Sequence, residues 1–194
     1  MSTLQIVGLV AGVVQLIGYI DYVSFVKKGT INPNTGSWAI WAYGNAIVCW
    51  TYVLGGKQIS LTETLPIVCS FACFFSGVYF LFRKKFETPK MYEISIFLID
   101  LSITIYWLRT GETILCQILL QISVAISFIP IIMETWKYPD SEQPRPWIIW
   151  SFAYGLLLVI ELPDGDWWKV IYPAHYLLWH SIMAILSKPP ETFR

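Results

Sequence analysis

IDYVSFVKKGTINPNTGSWAIWAY, residues Ile20 to Tyr43, is answered 109 residues later, without a gap, by IPIIMETWKYPDSEQPRPWIIWSF, residues Ile129 to Phe152. Five positions are identical: Ile20 and Ile129, Lys28 and Lys137, Trp38 and Trp147, Ile40 and Ile149, Trp41 and Trp150. The shared order is an apolar helix end, a lysine, a polar loop containing proline, then Trp-x-x-Trp opening another apolar run. Composition alone makes apolar sequences alike, but it does not reproduce order and spacing. A duplicated unit in an apolar chain points to two copies enclosing a site between them. Pro66 and Pro173 open the third apolar run of each copy, which extends the correspondence if the second copy has a loop two residues shorter.

Hydrophobic residues make up 56% of the 194 positions and charged residues only 13%, with mean hydropathy +0.57. A soluble domain carries about 25% charged residues, so an integral membrane protein with little mass outside the bilayer is expected. The formal net charge is zero and there is no basic patch, which leaves nucleic-acid binding without a footing. Met1-Ser2-Thr3-Leu4-Gln5 lacks a positive n-region and a small-residue cleavage site, so the first apolar run reads as a retained span. Cys49, Cys69, Cys73 and Cys116 all lie inside apolar runs and read as small packing residues, not as a disulfide or metal set. No cofactor or metal is expected.

A helix needs about 20 apolar residues to cross the hydrocarbon core. Seven runs approach that length: Leu4–Val26, Trp38–Leu54, Leu65–Phe82, Tyr92–Leu108, Ile114–Trp136, Trp147–Ile160 and Val170–Leu186. Turn chemistry separates them, as in Lys27-Lys28-Gly29, Asn32-Pro33-Asn34, Gly55-Gly56-Lys57, Arg109-Thr110-Gly111, Tyr138-Pro139-Asp140 and Pro163-Asp164-Gly165. Seven spans sort the thirteen basic residues into ten on one side (Lys27, Lys28, Arg83, Lys84, Lys85, Lys90, Lys137, Arg145, Lys188 and Arg194) and three on the other (Lys57, Arg109 and Lys169). The positive-inside rule then puts the N-terminus outside and the C-terminus in the cytoplasm. Two tandem three-helix copies run parallel only if one extra helix separates them, and the fourth span is that helix. The expected fold is therefore all-α, with a first bundle over residues 1–86, a linker helix over 87–110 and a second bundle over 111–194.

This 3+1+3 pattern resembles the triple-helix-bundle transporters: SWEET sugar transporters, PQ-loop proteins and Pnu-type vitamin transporters. PQ-loop families carry a proline in the first helix of each unit; Pro130 stands there in the second copy and Asp21 in the first. The Trp38-x-x-Trp41 and Trp147-x-x-Trp150 pairs resemble the Trp-x-x-Trp elements of Pnu-type transporters. Pro33 to Trp41 is similar to small bacterial membrane proteins related to the PQ-loop group, which implies a bacterial inner (plasma) membrane. The resemblance implies passage of a small polar solute between the two bundles.

Several residues are candidates for handling that solute. Trp41 and Asn45 are four apart and share a helix face, with Trp150 and Tyr154 as counterparts. An indole and an amide suit a sugar, nucleoside or vitamin, stacking its apolar face and bonding its rim. Trp41 and Trp150 read equally well as cavity lining or packing, whereas Trp38 and Trp147 read first as interfacial belt residues. Gln121 and Gln117 share a face and either line a wet path or join helices, as does Gln15. His180 is a candidate for the cavity, or a histidine simply satisfied by a hydrogen bond. Asp21, Asp100 and Pro130 are the candidates for gating or proton linkage. Asp21 sits near enough to the Lys27 end to snorkel, whereas Asp100, in mid-span, has no such escape.

A retinal protein would need a lysine deep in its last span, and Lys188 lies at the end of that run. P-loop, His-Glu-x-x-His and Gly-x-Ser-x-Gly elements are absent, so an enzyme is not expected. The expected function is a transporter of a small polar or aromatic solute. A receptor on the same scaffold is the alternative, and an enzyme using Asp100 or His180 is a more distant third. Expected partners are the lipid bilayer, a small-molecule substrate and, as a further option, a second copy of the chain.

Overall fold

In the computed structural model, residues 1–55, 60–83 and 90–187 are described. They form seven α-helices: α1 (Thr3–Lys28), α2 (Thr35–Gly55), α3 (Thr64–Arg83), α4 (Met91–Thr110), α5 (Thr113–Lys137), α6 (Pro144–Glu161) and α7 (Trp167–Leu186). No strand occurs among the described residues. The helices cover the seven apolar runs and extend past them by up to three residues, because polar flanks supply the caps. Ser2 and Gln5 form a reciprocal capping box at the start of α1. Gly29, at φ 73°, ends that helix in the left-handed conformation that glycine adopts without penalty. The expected turn at Gly56-Lys57, the boundary at 86/87, and Lys57, Lys84, Lys85, Lys188 and Arg194 lie outside the described residues.

Packing follows a simple circuit. α3 packs on both α1 and α2, and α7 packs on both α5 and α6. α1 also packs on α6, and α2 on α5, which closes a ring in the order α1, α3, α2, α5, α7, α6. α4 stands outside the ring against α2 and α5. One end of the ring carries Lys27 and Lys28 from α1, Arg83 from α3, Lys137 from α5 and Arg145 from α6; it is called the basic end below.

The distribution of side chains is inverted relative to a water-soluble bundle. Ile6, Val10, Val13, Ile17 and Ile20 of α1 face outward, as do Phe71, Phe74 and Phe75 of α3 and Ile122, Ile126 and Ile129 of α5. Gln15, Asn45, Asp100, Gln117 and His180 are buried. Four segments, Thr3–Lys28, Leu61–Arg83, Met91–Thr110 and Thr113–Lys137, are long and apolar enough to cross a membrane. α2, α6 and α7 are richer in Trp, Tyr, Asn and His, much of which they turn inward.

Candidate functional site

Six of the helices converge on an enclosed cavity. α1 contributes Gln15 and Tyr19, α2 contributes Trp38, Trp41 and Asn45, and α3 contributes Cys69 and Cys73. From the opposite side come Val124 and Phe128 of α5, Trp147, Trp150 and Tyr154 of α6, and Tyr176 and His180 of α7. These residues fall into seven pairs. In the first two helices of each half the partners are 109 residues apart: Gln15 with Val124, Tyr19 with Phe128, Trp38 with Trp147, Trp41 with Trp150, and Asn45 with Tyr154. In the third helix the spacing is 107, pairing Cys69 with Tyr176 and Cys73 with His180. That is the offset shown by Pro66 and Pro173.

The paired residues also make paired contacts. Trp41 donates from Nε1 to Ser127 Oγ at 2.8 Å and stacks on Phe128, with ring centres 5.2 Å apart. Trp150 donates from Nε1 to the Gln15 carbonyl at 3.2 Å and lies 5.0 Å from the Tyr19 ring. Gly18 holds the position equivalent to Ser127, and a methyl group there would collide with the Trp150 indole. Each deeper tryptophan therefore crosses to the same register of the opposite first helix, with aromatic contacts worth about 0.5–1.5 kcal/mol beyond area burial.

The two walls differ in chemistry. The Gln15, Asn45, Cys69, Cys73 side is small and polar; the Val124, Tyr154, Tyr176, His180 side is bulkier, and three of its four are rings. Asn45 is its hub, donating from Nδ2 to the Trp41 carbonyl at 2.9 Å and accepting on Oδ1 from the Tyr176 hydroxyl at 2.9 Å. Cys69 lies 3.3 Å from both the Tyr19 and the Tyr154 hydroxyl. Tyr154 stacks on Tyr176 and on His180, with ring centres 4.8 and 5.2 Å away. The side-chain amide oxygen of Gln15, Oε1, has no hydrogen-bond partner among the described residues. No lining residue is charged. The cavity measures about 30 Å³, room for a water molecule or two.

Polar contacts close both ends. At the basic end, Arg145 of α6 grips Asp21 of α1 with two nitrogens: Nε donates to Oδ2 at 2.7 Å and Nη2 to Oδ1. Beside this pair, Glu142 accepts from the Tyr22 hydroxyl at 3.0 Å and from Trp147 Nε1 at 3.2 Å. Burial pushes the Glu142 carboxyl up to about 7, against the two donated hydrogen bonds that favour its charged form. At the opposite end, the Tyr52 hydroxyl of α2 donates to Glu161 Oε1 of α6 at 2.5 Å. The Tyr52 and Tyr172 rings pack 5.2 Å apart beside it.

Of the residues singled out from the sequence, Trp41, Asn45, Trp150, Tyr154 and His180 meet at the cavity. Gln121 does not: it bonds Gln117 Oε1 within α5 at 3.4 Å, and Gln117 in turn bonds the Val48 carbonyl at 3.2 Å, which ties α5 to α2. Pro130 is half-buried within α5, away from the lining. Asp21 is paired, and Asp100 is buried between α4, α2 and α5 instead of at the cavity. Trp38 and Trp147 correct the belt reading. They are 2% and 1% exposed and lie on the cavity wall, because α2 and α6 start three residues before the Trp-x-x-Trp element and set its first tryptophan about a turn inside the helix. Cys69, Cys73 and Tyr176 went unread as lining, although the 107-residue offset relates the cysteines to Tyr176 and His180. Comparison with protein-family models, with curated proteins and with solved structures returns no match.

Proposed function

We propose that the chain is a membrane transporter for a small uncharged solute, working by alternating access between two parallel three-helix units, α1–α3 and α5–α7, with α4 as the linker between them. The seven related pairs around one cavity carry this reading. Duplicated units that contribute equivalent positions to a shared site are how many transporters build a midplane binding site. The packing supports it too, since the third helix of each unit lies between the first and second, and the first helix of each meets the second of the other. The inverted surface and the four long apolar segments fit a bilayer.

An uncharged lining excludes a strongly charged cargo, because an ion would lose its hydration without a partner. A lining of aromatic rings with an amide and hydroxyl groups among them suits a flat or ring-shaped neutral solute. The cavity measures about 30 Å³, so admitting a ring requires the walls to part. Rocking of the units does this if the contacts at one end release while those at the other hold.

The experiment combines a thermal-shift screen of sugars, nucleosides, B vitamins and amino acids with flux of each hit into liposomes holding the purified protein. The expected outcome is a stabilising neutral compound that equilibrates across the bilayer, with flux lost in Trp41→Ala and Trp150→Ala. A compound that binds and never crosses would sink transport and leave a receptor.

A further inference from the structure

We propose that Asp100 and Ser123 form a binding site for a small monovalent cation, a proton or a sodium ion, beside the central cavity, and that α2 carries its occupancy to Trp41 and Asn45. Asp100 is 1% exposed, and its Oδ1 has no hydrogen-bond partner among the described residues. The Ser123 hydroxyl, 3% exposed, faces that carboxyl from α5 close enough to interact with it, and bonds no other group among the described residues. The carboxyl keeps a free oxygen beside this contact and the hydroxyl oxygen accepts no hydrogen bond, so the two together can give electron pairs to one ligand. A bare carboxylate in an apolar interior is expensive, and balancing its charge with a bound cation removes that cost.

The surroundings supply no such charge. α2 has no charged residue from Thr35 to Gly55, and α5 has none from Thr113 to Met133. The titratable side chains nearby are engaged: Tyr43 donates to Thr104 Oγ1 at 2.8 Å, and Tyr176 of α7 donates to Asn45. On α4 itself, Glu93 and Arg109 lie about two turns or more away. A proton needs only the carboxylate with Ser123 as hydrogen-bond partner. A sodium ion would use both as hard oxygen ligands.

The route to the cavity is short. A methyl on Gly44 would stand 3.7 Å from Asp100 Oδ2, so the carboxyl lies against the α2 backbone at that residue. Asn45 is the next residue, and Trp41 lies one turn before it; both face the cavity. Changing the charge on one side of α2 therefore acts on the segment that carries the solute-facing side chains on the other. Cation binding stands without the transporter reading, whereas its use in coupling rests on it.

The test needs no solute. Indole fluorescence of the purified protein in nanodiscs is followed during a sodium chloride titration balanced with choline chloride, and separately during a pH titration. A saturable response is expected in one series, shifted in Ser123→Ala and lost in Asp100→Asn. Saturable binding of radioactive sodium, lost in Asp100→Asn, assigns the ion as sodium. A protonated-carboxyl infrared band at neutral pH, absent from Asp100→Asn and unchanged by sodium, assigns it as a proton. If wild type shows neither, or if Asp100→Asn responds like wild type, the site is overturned. Should Asp100→Asn fail to fold, the Ser123→Ala shift decides, with an unshifted response counting against the site. Failure here leaves solute flux untouched, and failure of flux leaves this binding intact.

Discussion

Glu142 shows how a single buried group can register pH. Its carboxyl lies in the loop before α6, in contact with Tyr22 and Trp147, and burial raises it from 4.5 to about 7. A carboxyl that is harder to ionise in the folded state binds more protons there than in the unfolded chain between those two values. Its stabilising contribution is therefore fully present below about 4.5 and is lost as pH rises through about 7. The loss amounts to about 3 kcal/mol at most. Thermal melts of wild type should fall as pH rises across this window, and Glu142→Gln should flatten that part of the profile because its amide stays neutral. A mutant profile parallel to wild type would show that another group dominates. The position was hidden in the sequence: Glu142 reads as one more loop acid, and nothing local announces that Tyr22, 120 residues earlier, will cover it.

At the scale of elements, close approach of α1 and α6 depends on a residue that lacks a side chain. Gly18 lets the Trp150 indole lie directly on the α1 backbone and reach the Gln15 carbonyl. Gly18→Ala should force that ring or helix aside at a cost of about 1–3 kcal/mol. Ser127→Ala, at the related position on α5, keeps the helix backbone and Cβ and should cost mainly the Trp41 hydrogen bond, about 1 kcal/mol. Detergent-unfolding midpoints of the two variants check the ranking, and equal losses would mean that α1 and α6 have slack. All seven helices were legible because apolar run length and turn residues act locally. The repeat also exposed Trp41, Asn45, Trp150 and Tyr154, since one offset covers the first two helices of each half. It hid Cys69 and Cys73, whose relation to Tyr176 and His180 emerges only at 107, and it misplaced Gln121, because helix-face arithmetic does not say which neighbour a buried face meets.

For the whole molecule, the two ends are held with unequal strength, and that inequality sets which side opens first under the proposed mechanism. Asp21 is 7% exposed but its partner Arg145 is 68% exposed, so the guanidinium stays in water, and a pair with one partner solvated contributes about 0–1 kcal/mol and weakens with salt. The Tyr52 hydroxyl donates to a carboxylate that is 4% exposed, and a buried bond of this kind contributes about 1.5–3 kcal/mol. The native thiols of Cys69 and Cys73 line the cavity between the ends and report on either opening. With Cys49 and Cys116 replaced by serine, a membrane-impermeant thiol reagent should label wild type slowly, and faster from the basic end as salt is raised. Tyr52→Phe should speed labelling from the opposite end by roughly tenfold or more, the factor that corresponds to about 1.4 kcal/mol. Arg145→Gln should speed it from the basic end only a few-fold and remove the salt dependence. Labelling from both ends at once in either variant would mean a pore and not a gated cavity. Unchanged labelling in both would mean that the aromatic packing around Trp38 and Trp147, not the polar contacts at the ends, holds the cavity shut.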